Sequence, residues 1–203
     1  MKIDNLEISI GSGVYPPSED TYLLLDSLEL RTDDIFLDMG CGVGLASLVA
    51  ANKVKRVVSA DISRDAVTNT ALNLRQNKLA SKCSVVQADL FSVFSEKALF
   101  SVIAFNPPYL AKRDDRTDLD HALVGGESGA EVTLRFIATA TKHLRKNGRL
   151  YVVASSLSDV NRITAIMKET GFEVTIADEL PLFFEKLYIL KGTLQKRPKE
   201  TVL

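Results

Sequence analysis

The sequence has no tryptophan and few residues that bind metals or form disulfides. Its 203 residues include only two cysteines, Cys41 and Cys83, and two histidines, His121 and His143. The cysteines lie too far apart in sequence to form a Cys-x-x-Cys pair, so we expect no metal site and no disulfide framework. Cysteine usage of this kind is typical of a reducing compartment.

Long apolar runs and an excess of one charge are also absent. No run approaches the roughly 20 apolar residues that span a bilayer, and the first residues lack the features of a secretory signal. We therefore expect a cytoplasmic protein without a membrane partner. The formal net charge is −1, whereas tight, sequence-independent binding to nucleic acid usually shows a basic surface. Nucleic acid is accordingly not expected to be required for binding.

The composition that remains is that of an ordinary globular protein. Hydrophobic residues make up 46% of the chain and charged residues 25%, which is enough apolar material for a sizeable core. We expect residues 1–203 to form a single domain. Within it, residues 1–30 are predicted to pack on a ligand site, and residues 193–203 to form a flexible tail.

Short β-rich runs alternate with segments of helical periodicity. The predicted strands are Ile35–Asp38, Arg56–Asp61, Cys83–Gln87, Ser101–Phe105, Arg149–Ala154, Phe172–Ile176 and Phe184–Leu190. One predicted helix begins near Ser18, and a second is Leu45–Ala51. Three more have apolar faces that include Val67, Val132 and Val160. This alternation predicts an α/β fold with a mostly parallel, seven-stranded sheet. The last two strands are joined only by Ala177–Leu182, which is too short for a crossover helix and predicts an antiparallel hairpin at the sheet edge.

A glycine-rich loop follows the first of these strands. The run from Asp38 to Gly44 reads Asp-Met-Gly-Cys-Gly-Val-Gly and leads into a helix. Glycines such as Gly40 and Gly42 let the backbone turn sharply and approach a ligand closely. The spacing differs from the Gly-x-Gly-x-x-Gly pattern of dinucleotide sites, and Asp38 suits an ammonium group better than a pyrophosphate. S-adenosylmethionine is thus favoured over NAD, although a tight turn with no ligand would use the same glycines.

Two further acids stand where the next strands end. Asp61 ends the second predicted strand, where it can accept hydrogen bonds from ribose hydroxyls. Asp89 follows the third, where it can accept from an adenine amino group while Leu90 packs on the ring. Either acid alone could be a solvated strand-end carboxylate. Together with Asp38, they predict one cofactor site at the carboxyl edge of the sheet.

The fourth predicted strand runs into Asn106-Pro107-Pro108-Tyr109. Consecutive prolines fix φ and restrict the residue before them, so we expect Asn106 to sit in a rigid, extended loop. The Asn106 side-chain oxygen and the Pro107 carbonyl could accept both hydrogens of a planar NH₂ group and orient its nitrogen for methyl transfer. Tyr109 could stack on the same group. An isolated proline-rich turn with a buried tyrosine is the alternative.

With these motifs in place, the sequence resembles the HemK/PrmC family of glutamine N5-methyltransferases, which act on the Gly-Gly-Gln motif of translation release factors. It is most similar to the short archaeal and eukaryotic branch without the N-terminal helical domain. The most specific likeness lies in Tyr15–Asp26, the Asn-Pro-Pro-Tyr loop and Ala122–Gly129. The resemblance implies the class I S-adenosylmethionine-dependent methyltransferase fold, which is Rossmann-like.

The resemblance also implies roles for individual residues. Cofactor contacts are implied for Thr21, Asp38, Gly40, Gly42, Asp61, Asp89, Leu90 and Asn106. Substrate contacts are implied for Asn106, Pro107, Pro108 and Tyr109, of which Asn106, Pro107 and Tyr109 would be catalytic. Gly125–Gly129 would help to close the site, and Lys112–Leu119 matches nothing in the family pattern.

A partner is implied as well. The short branch works with a small zinc-binding activator protein as a heterodimer, and the predicted edge strand Cys83–Gln87 is the implied docking strand. Three other functions remain open at this point. An N6-adenine methyltransferase for DNA or RNA would use the same loop, a protein-lysine methyltransferase is a further possibility, and a catalytically silent scaffold would still bind the cofactor.

Overall fold

A computed structural model describes residues 2–3, 5–110 and 125–195 of the chain. The helices in these residues are α1 Glu19–Ser27, α2 Leu45–Ala51, α3 Arg64–Gln76, α4 Glu131–His143 and α5 Val160–Glu169. The strands are β1 Lys2–Ile3, β2 Leu6–Glu7, β3 Ile35–Met39, β4 Arg56–Asp61, β5 Cys83–Gln87, β6 Phe100–Phe105, β7 Leu144–Ser155, β8 Phe172–Pro181 and β9 Lys186–Leu194. The predicted alternation of strands and helices is confirmed.

Strands β3 to β9 form one seven-stranded sheet in the order β5-β4-β3-β6-β7-β9-β8, and β1 pairs with β2 in a separate small hairpin. Pairing is parallel from β5 through β7, and β9 is antiparallel to both β7 and β8. The predicted fold class is therefore confirmed. The strand order reverses between β3 and β6, and ligands bind beside such a reversal in open α/β sheets.

Alternate residues of the central strands face two different layers of helices. In β3, Phe36 packs in a cluster with residues of α1 and α2, whereas Leu37 packs with residues of α4 and α5. Both side chains are completely buried, and burial of each contributes about 1.5–3 kcal/mol. Because successive side chains of a strand point to opposite faces, a strand covered on both sides reads as a continuous apolar run.

Strand β7 begins earlier than predicted, at Leu144 instead of Arg149. Leu144 lies opposite Phe100, and pairing then breaks until Arg149 lies opposite Val102. Between these pairs the chain passes through Asn147, whose φ is +60°. The Lys-Asn-Gly sequence has the composition of a turn, but it forms an irregularity within the strand instead of preceding it.

The edge hairpin is confirmed, but its connection is Leu182–Glu185 instead of Ala177–Leu182. Strand β8 continues through the polar residues after Ile176 as far as Pro181. A register shift between Ile176 and Asp178 accommodates one extra residue in β8. Polar residues can form this strand because β8 is at the sheet edge, where side chains reach solvent.

Two predicted boundaries near the C-terminal end also differ. Phe184, predicted to begin the last strand, lies in the turn before β9, because the aromatic character that raises strand propensity does not by itself place a residue in a ladder. Thr193 and Leu194, assigned to the flexible tail, belong to β9 and pair with neighbouring strands. Residues 196–203 of that predicted tail and the connection Lys112–Leu119 lie outside the described residues.

Candidate functional site

A cavity of about 440 Å³ opens where strands β3, β4, β5 and β6 end. Pockets that hold small-molecule ligands have volumes of about 300–1,000 Å³. The predicted residues that line it are Thr21, Asp38, Gly40, Gly42, Asp61, Asp89, Leu90, Asn106 and Pro108. Pro107 and Tyr109 are not part of its lining. The motifs predicted to share one site are therefore brought together.

The glycine loop between β3 and α2 uses backbone angles that favour glycine. Gly42 has a φ of +53° and Gly44 a φ of +83°. A Cβ on Gly44 would lie 2.8 Å from Cγ2 of Thr70, so a larger residue would not fit without displacement of Thr70. A Cβ on Gly42 would meet no atom within 4 Å, and this residue lines the cavity. The loop thus presents bare backbone to the cavity.

Asp38, predicted to bind an ammonium group, is held by α2. Its Oδ2 accepts hydrogen bonds from the Ser47 backbone N–H at 3.0 Å and from the Ser47 hydroxyl at 2.6 Å. Burial raises the pKa of Asp38 to about 7; the bonds from Ser47 oppose this shift, and the charge of Asp61 adds to it. Its Oδ1 accepts no hydrogen bond from the described residues, so this oxygen remains available to a ligand.

Asp61 organises the glycine loop as well as lining the cavity. Its Oδ2 accepts from the backbone N–H of Gly42 at 3.0 Å, and its Oδ1 from that of Ser63 at 2.9 Å. Burial raises the pKa of Asp61, although these backbone hydrogen bonds oppose the shift. Each carboxylate oxygen has a further lone pair, so contact with ribose hydroxyls stays a prediction. The bond from Asp61 to the loop was not predicted.

Asp89 forms an ion pair that was not predicted either. Arg135 of α4 donates to Oδ2 of Asp89 at 2.9 Å, and both side chains are about half exposed. A pair this exposed contributes at most about 1 kcal/mol. Arg135 lines the cavity together with Val132, which precedes it by one helical turn. The i, i+3 spacing on α4 is the sequence signal that could have placed Arg135 beside the site.

Asn106 presents an unpaired acceptor. It follows β6 and lines the cavity, and its side-chain Oδ1 is buried without a hydrogen-bond donor among the residues that the structure describes. A buried acceptor left without a donor costs about 1–3 kcal/mol, and such atoms are rare in native proteins. Oδ1 of Asn106 is therefore free to accept a hydrogen bond from an N–H or O–H group of a ligand.

Tyr109 supports the Asn106 loop from the core. Its ring is 7% exposed and packs in a cluster with Leu24 of α1, while its hydroxyl donates to Oδ2 of Asp20 at 3.1 Å. Tyr15 donates to the same oxygen at 3.5 Å. Burial, followed by the charge of Asp20, raises the pKa of both hydroxyls, and that of Tyr15 reaches about 12. Asp20 thus joins both tyrosines, and stacking of Tyr109 on a substrate stays a prediction.

Three asparagines, two in α3 and one at its C-terminal cap, hold the N-terminal segment, and we call them the asparagine ladder. Asn69, Asn73 and Asn77 are spaced four residues apart and therefore lie in a row along the helix. Their side-chain oxygens accept, at 2.5, 2.9 and 2.9 Å, from the backbone N–H groups of the alternate residues Gly11, Ser9 and Glu7. Their nitrogens donate to the carbonyls of Ser9 and Glu7. The helix thus binds an extended segment as a neighbouring strand would.

The ladder also connects this segment to the cavity. Asn73 is completely buried and donates to the carbonyl of Val43 in the glycine loop at 2.8 Å. The held segment continues into Gly13, Val14, Tyr15, Pro17 and Thr21, all of which line the cavity. One wall of the cavity is therefore positioned by side chains of α3, a role that was not predicted.

Gly125–Gly129, predicted to help close the site, approaches the Asn106 loop at one end. The Gly125 N–H donates to the carbonyl of Leu110 at 2.9 Å, and a Cβ on Gly125 would collide with the carbonyl oxygen of Pro108. Residues 122–124 of the same predicted motif lie outside the described residues. A close backbone approach explains glycine at position 125, and closure of the site stays a prediction.

The described parts of the chain show neither a metal cluster nor a membrane-spanning helix. They contain no group of three or more His, Cys, Asp or Glu side chains arranged to hold a metal ion. None of the helices in residues 5–110 and 125–195 combines the length and apolar character needed to cross a bilayer.

Most of the chain matches a known family. The model of the methyltransferase small domain family matches residues 12–179. This range starts just before Gly13 and ends within β8, so it includes every residue that lines the cavity. The family match therefore covers the whole candidate site.

Two relatives align with nearly the full chain. A protein of Methanocaldococcus jannaschii, provisionally named protein N5-glutamine methyltransferase, is 34% identical over 197 residues, which cover 95% of this chain and 98% of that protein. Methyltransferase HEMK2 of Homo sapiens is 31% identical over 195 residues, which cover 90% of each chain. The resemblance to glutamine methyltransferases is thus confirmed by relatives of similar length.

A solved structure extends this similarity to three dimensions. The Mtq2-Trm112 complex of E. cuniculi, described as responsible for methylation of the translation termination factor eRF1, contains a chain of similar fold. The match has a TM-score of 0.69 and 28% identity, and it covers 91% of this chain and 99% of that chain. On the combined likeness of motifs, fold and relatives, the chain belongs to the methyltransferase small domain family, as a member of its HemK/PrmC group.

Proposed function

We propose that this chain transfers a methyl group from S-adenosylmethionine to the side-chain amide nitrogen of the glutamine in the Gly-Gly-Gln motif of a class I translation release factor. The relatives named for glutamine methylation and the complex described for eRF1 support this substrate. The observation that carries the proposal is Oδ1 of Asn106, a buried acceptor beside the cavity that lacks a donor among the described residues.

The residues of the cavity fit S-adenosylmethionine. Oδ1 of Asp38 is available to its ammonium group, and the second lone pairs of Asp61 suit its ribose hydroxyls. Asp89 and Leu90 suit its adenine, the first as an acceptor and the second by packing on the ring. Gly42 leaves space at the loop because no side chain enters the cavity there. When bound, the cofactor supplies a methyl group on a positively charged sulfur.

The Asn106 loop would orient the amide nitrogen that receives the methyl group. The lone pair of an amide nitrogen is delocalised, so its alignment with the methyl carbon matters more than its intrinsic reactivity. Oδ1 of Asn106 and the carbonyl of Pro107 would accept its two hydrogens. The adjacent prolines restrict the loop, which would position both acceptors before the substrate binds.

The proposed transfer needs neither a nucleophilic side chain nor a metal ion, because the cofactor itself carries the reactive methyl group. In the proposed transfer the glutamine nitrogen would bond to the methyl carbon as the bond from that carbon to sulfur breaks, and the cofactor would leave as a neutral thioether. The nitrogen then loses one proton to solvent. Thr21 and Gly40, which line the cavity, would contribute to cofactor binding.

Replacement of Asn106 tests this function. The purified chain is incubated with methyl-labelled cofactor and a class I release factor, and mass spectrometry locates the methyl group. We expect methylation of the Gly-Gly-Gln glutamine, and we expect Asn106→Ala to lower kcat by about 10²–10³-fold because one oriented acceptor is lost. Cofactor affinity, measured by calorimetry, should remain within a few-fold of wild type.

An exposed asparagine provides the matched control. Asn161 lies on the surface of α5, so Asn161→Ala should leave kcat unchanged. Unchanged turnover in Asn106→Ala would contradict the role of Asn106. Label found only in DNA or RNA would instead support the N6-adenine activity, and label found on a lysine would support protein-lysine methylation.

We further propose that a small zinc-binding activator protein pairs with strand β5. The order of the sheet leaves β5 at one edge, where β4 is its only neighbour among the described residues. An edge strand presents unpaired N–H and C=O groups to which another chain can add. The E. cuniculi structure, which contains two different proteins, supports a partner of this kind.

Hydrogen exchange tests the docking strand. Formation of the complex should slow exchange of the backbone amides in Cys83–Gln87, because strand addition gives them new hydrogen-bond partners. Strand β8, Phe172–Pro181, is at the opposite edge of the sheet and serves as the matched control, with no change expected. Slower exchange confined to β8 would contradict docking at β5.

A further inference from the structure

The turn between β8 and β9 carries two phenylalanines outside the core. Phe183 is 91% exposed and Phe184 84% exposed, the highest values for large hydrophobic residues in the described parts of the chain. Gly, Asn, Asp and Pro dominate turns because each suits turn geometry, whereas phenylalanine brings no such advantage. Adjacent exposed rings at a turn are therefore candidates for an interaction surface. We call Phe183 and Phe184 the phenylalanine turn.

The flanking residues hold these rings outward. Leu182, immediately before the pair, is partly buried against the core cluster that contains Tyr109. The backbone N–H of Leu182 donates to the carbonyl of Glu185 at 2.8 Å, which closes the turn. The two rings contact each other edge to face, with centroids 4.6 Å apart and planes 83° apart. The turn is thus an ordered projection with an apolar tip.

The phenylalanine turn and the Asn106 loop lie at the same end of the sheet, where the parallel strands have their carboxyl ends. In the parallel pair β6–β7, Phe105, which precedes Asn106, lies opposite Val152. Further along β7, Ser155 lies opposite Leu187 of β9, so the start of β9 is beyond the carboxyl end of β6. The hydroxyl of Ser155 also donates to the carboxylate of Glu185. Side-chain and backbone contacts therefore fix the turn relative to the candidate substrate loop.

The charges near the phenylalanine turn favour a protein over a nucleic acid. Asp178, Glu179 and Glu185 flank it in the sequence of the hairpin, and Lys186 is paired with Glu179 at 2.6 Å. Aromatic side chains that stack on single-stranded nucleic acid are accompanied by a basic groove that follows the phosphates. An acidic surround would repel phosphates, whereas an apolar centre with a charged rim is the usual arrangement of a protein interface.

We propose that the phenylalanine turn docks on an apolar patch of the release factor next to its Gly-Gly-Gln loop. The inference rests on the proposed function and extends it by naming a surface that recognises the folded substrate outside the cavity. Two exposed aromatic rings at the centre of an interface are suited to supply much of its binding energy. Docking there would lengthen the time for which the substrate loop stays bound at Asn106, although the phenylalanines would not contact the glutamine itself.

The test compares a whole protein substrate with a short one. The full chain and a Phe183→Ser, Phe184→Ser double variant are assayed on the intact release factor and on a short peptide that contains Gly-Gly-Gln. We expect the KM for the intact release factor to rise by about tenfold or more in the double variant. Values of kcat for both substrates, and the KM for the peptide, should stay at wild-type levels.

Leu99 provides the control, because it is an exposed apolar residue that directly precedes β6. It therefore lies at the amino end of the parallel strands, away from the Asn106 loop. Leu99→Ser should leave all constants unchanged. An unchanged KM for the release factor in the double variant would overturn the docking proposal, as would an equal loss on peptide and intact protein. Sedimentation that shows a wild-type dimer dissociated by the two serines, or nucleic-acid binding lost with them, would also overturn it.

These outcomes are separate from a failure of the proposed function. If the proposed function is wrong, the wild-type chain leaves both the release factor and the peptide unmethylated. If only the docking surface is wrong, the wild type methylates both, and the double variant matches it on each substrate.

Discussion

Replacement of Asn73 by alanine is expected to lower the free energy of unfolding by about 3 kcal/mol. The side chain is completely buried and makes three hydrogen bonds beyond its own helix. It accepts from the N–H of Ser9 at 2.9 Å and donates to the carbonyls of Ser9 at 2.9 Å and Val43 at 2.8 Å. Alanine removes all three and fills none of the space.

The magnitude follows from what each partner loses. The groups of half-buried Ser9 can turn to water, so each of those bonds contributes only about 0.5–1.5 kcal/mol. The carbonyl of Val43 is buried and would lack its donor, which costs about 1–3 kcal/mol. The higher helix propensity of alanine returns about 0.5 kcal/mol. For a protein of this size, the sum corresponds to a fall in Tm of about 6–12 °C.

Urea denaturation measures this change, and Asn77→Ala is the matched control. Asn77 is the outer rung of the ladder, and its bonds reach the exposed backbone of Glu7. Because that backbone can be solvated, the control should lose about 1 kcal/mol or less. A loss below about 1 kcal/mol for Asn73→Ala, or equal losses for both variants, would refute the role of Asn73.

Two further predictions concern buried charges. Burial holds the pKa of Asp38 near 7 instead of 3.8, so its contribution to stability is present below pH 3.8 and is lost as pH rises towards 7. S-adenosylmethionine should favour the ionised carboxylate, so its affinity should fall by up to about tenfold per pH unit below pH 7. Calorimetry checks this, and Asp38→Asn should flatten the profile. Arg149 pairs with Asp34 at 2.5 Å, and both side chains are buried. Arg149→Met removes this partner and leaves the buried carboxylate of Asp34 without a compensating charge. The free energy of unfolding, measured by urea titration, should therefore fall by about 3–5 kcal/mol, and a fall under about 1 kcal/mol would contradict this reasoning.

The position of the site could be predicted because it depends mainly on the order of strands. Asp38, Asp61 and Asp89 each stand where a strand of the parallel sheet ends, and parallel strands end at a common edge. The glycine loop and the Asn106 loop follow strands of the same set. Once the parallel sheet was predicted, these residues had to meet, and they line one cavity.

The partners of these residues could not be predicted in the same way. Asp61 bonds the glycine loop and Arg135 reaches Asp89 from α4, although nothing near either acid in sequence indicates it. The asparagine ladder has the composition of an ordinary polar helix face, so its residue types do not indicate what it binds. Tyr109 has the residue type of a stacking platform, yet its hydroxyl bonds Asp20, which is 89 residues away in sequence.

Local patterns are enough to predict the alternation of strands and helices, the glycine turn and the restricted Asn106 loop, because periodicity, φ limits and proline geometry are properties of neighbouring residues. The hold of α3 on the N-terminal segment and the raised pKa of Asp38 depend instead on the packing of distant parts of the chain. Burial and hydrogen bonds between residues such as Ser9 and Asn73, 64 positions apart, depend on how every layer packs. No local pattern in the chain encodes that packing.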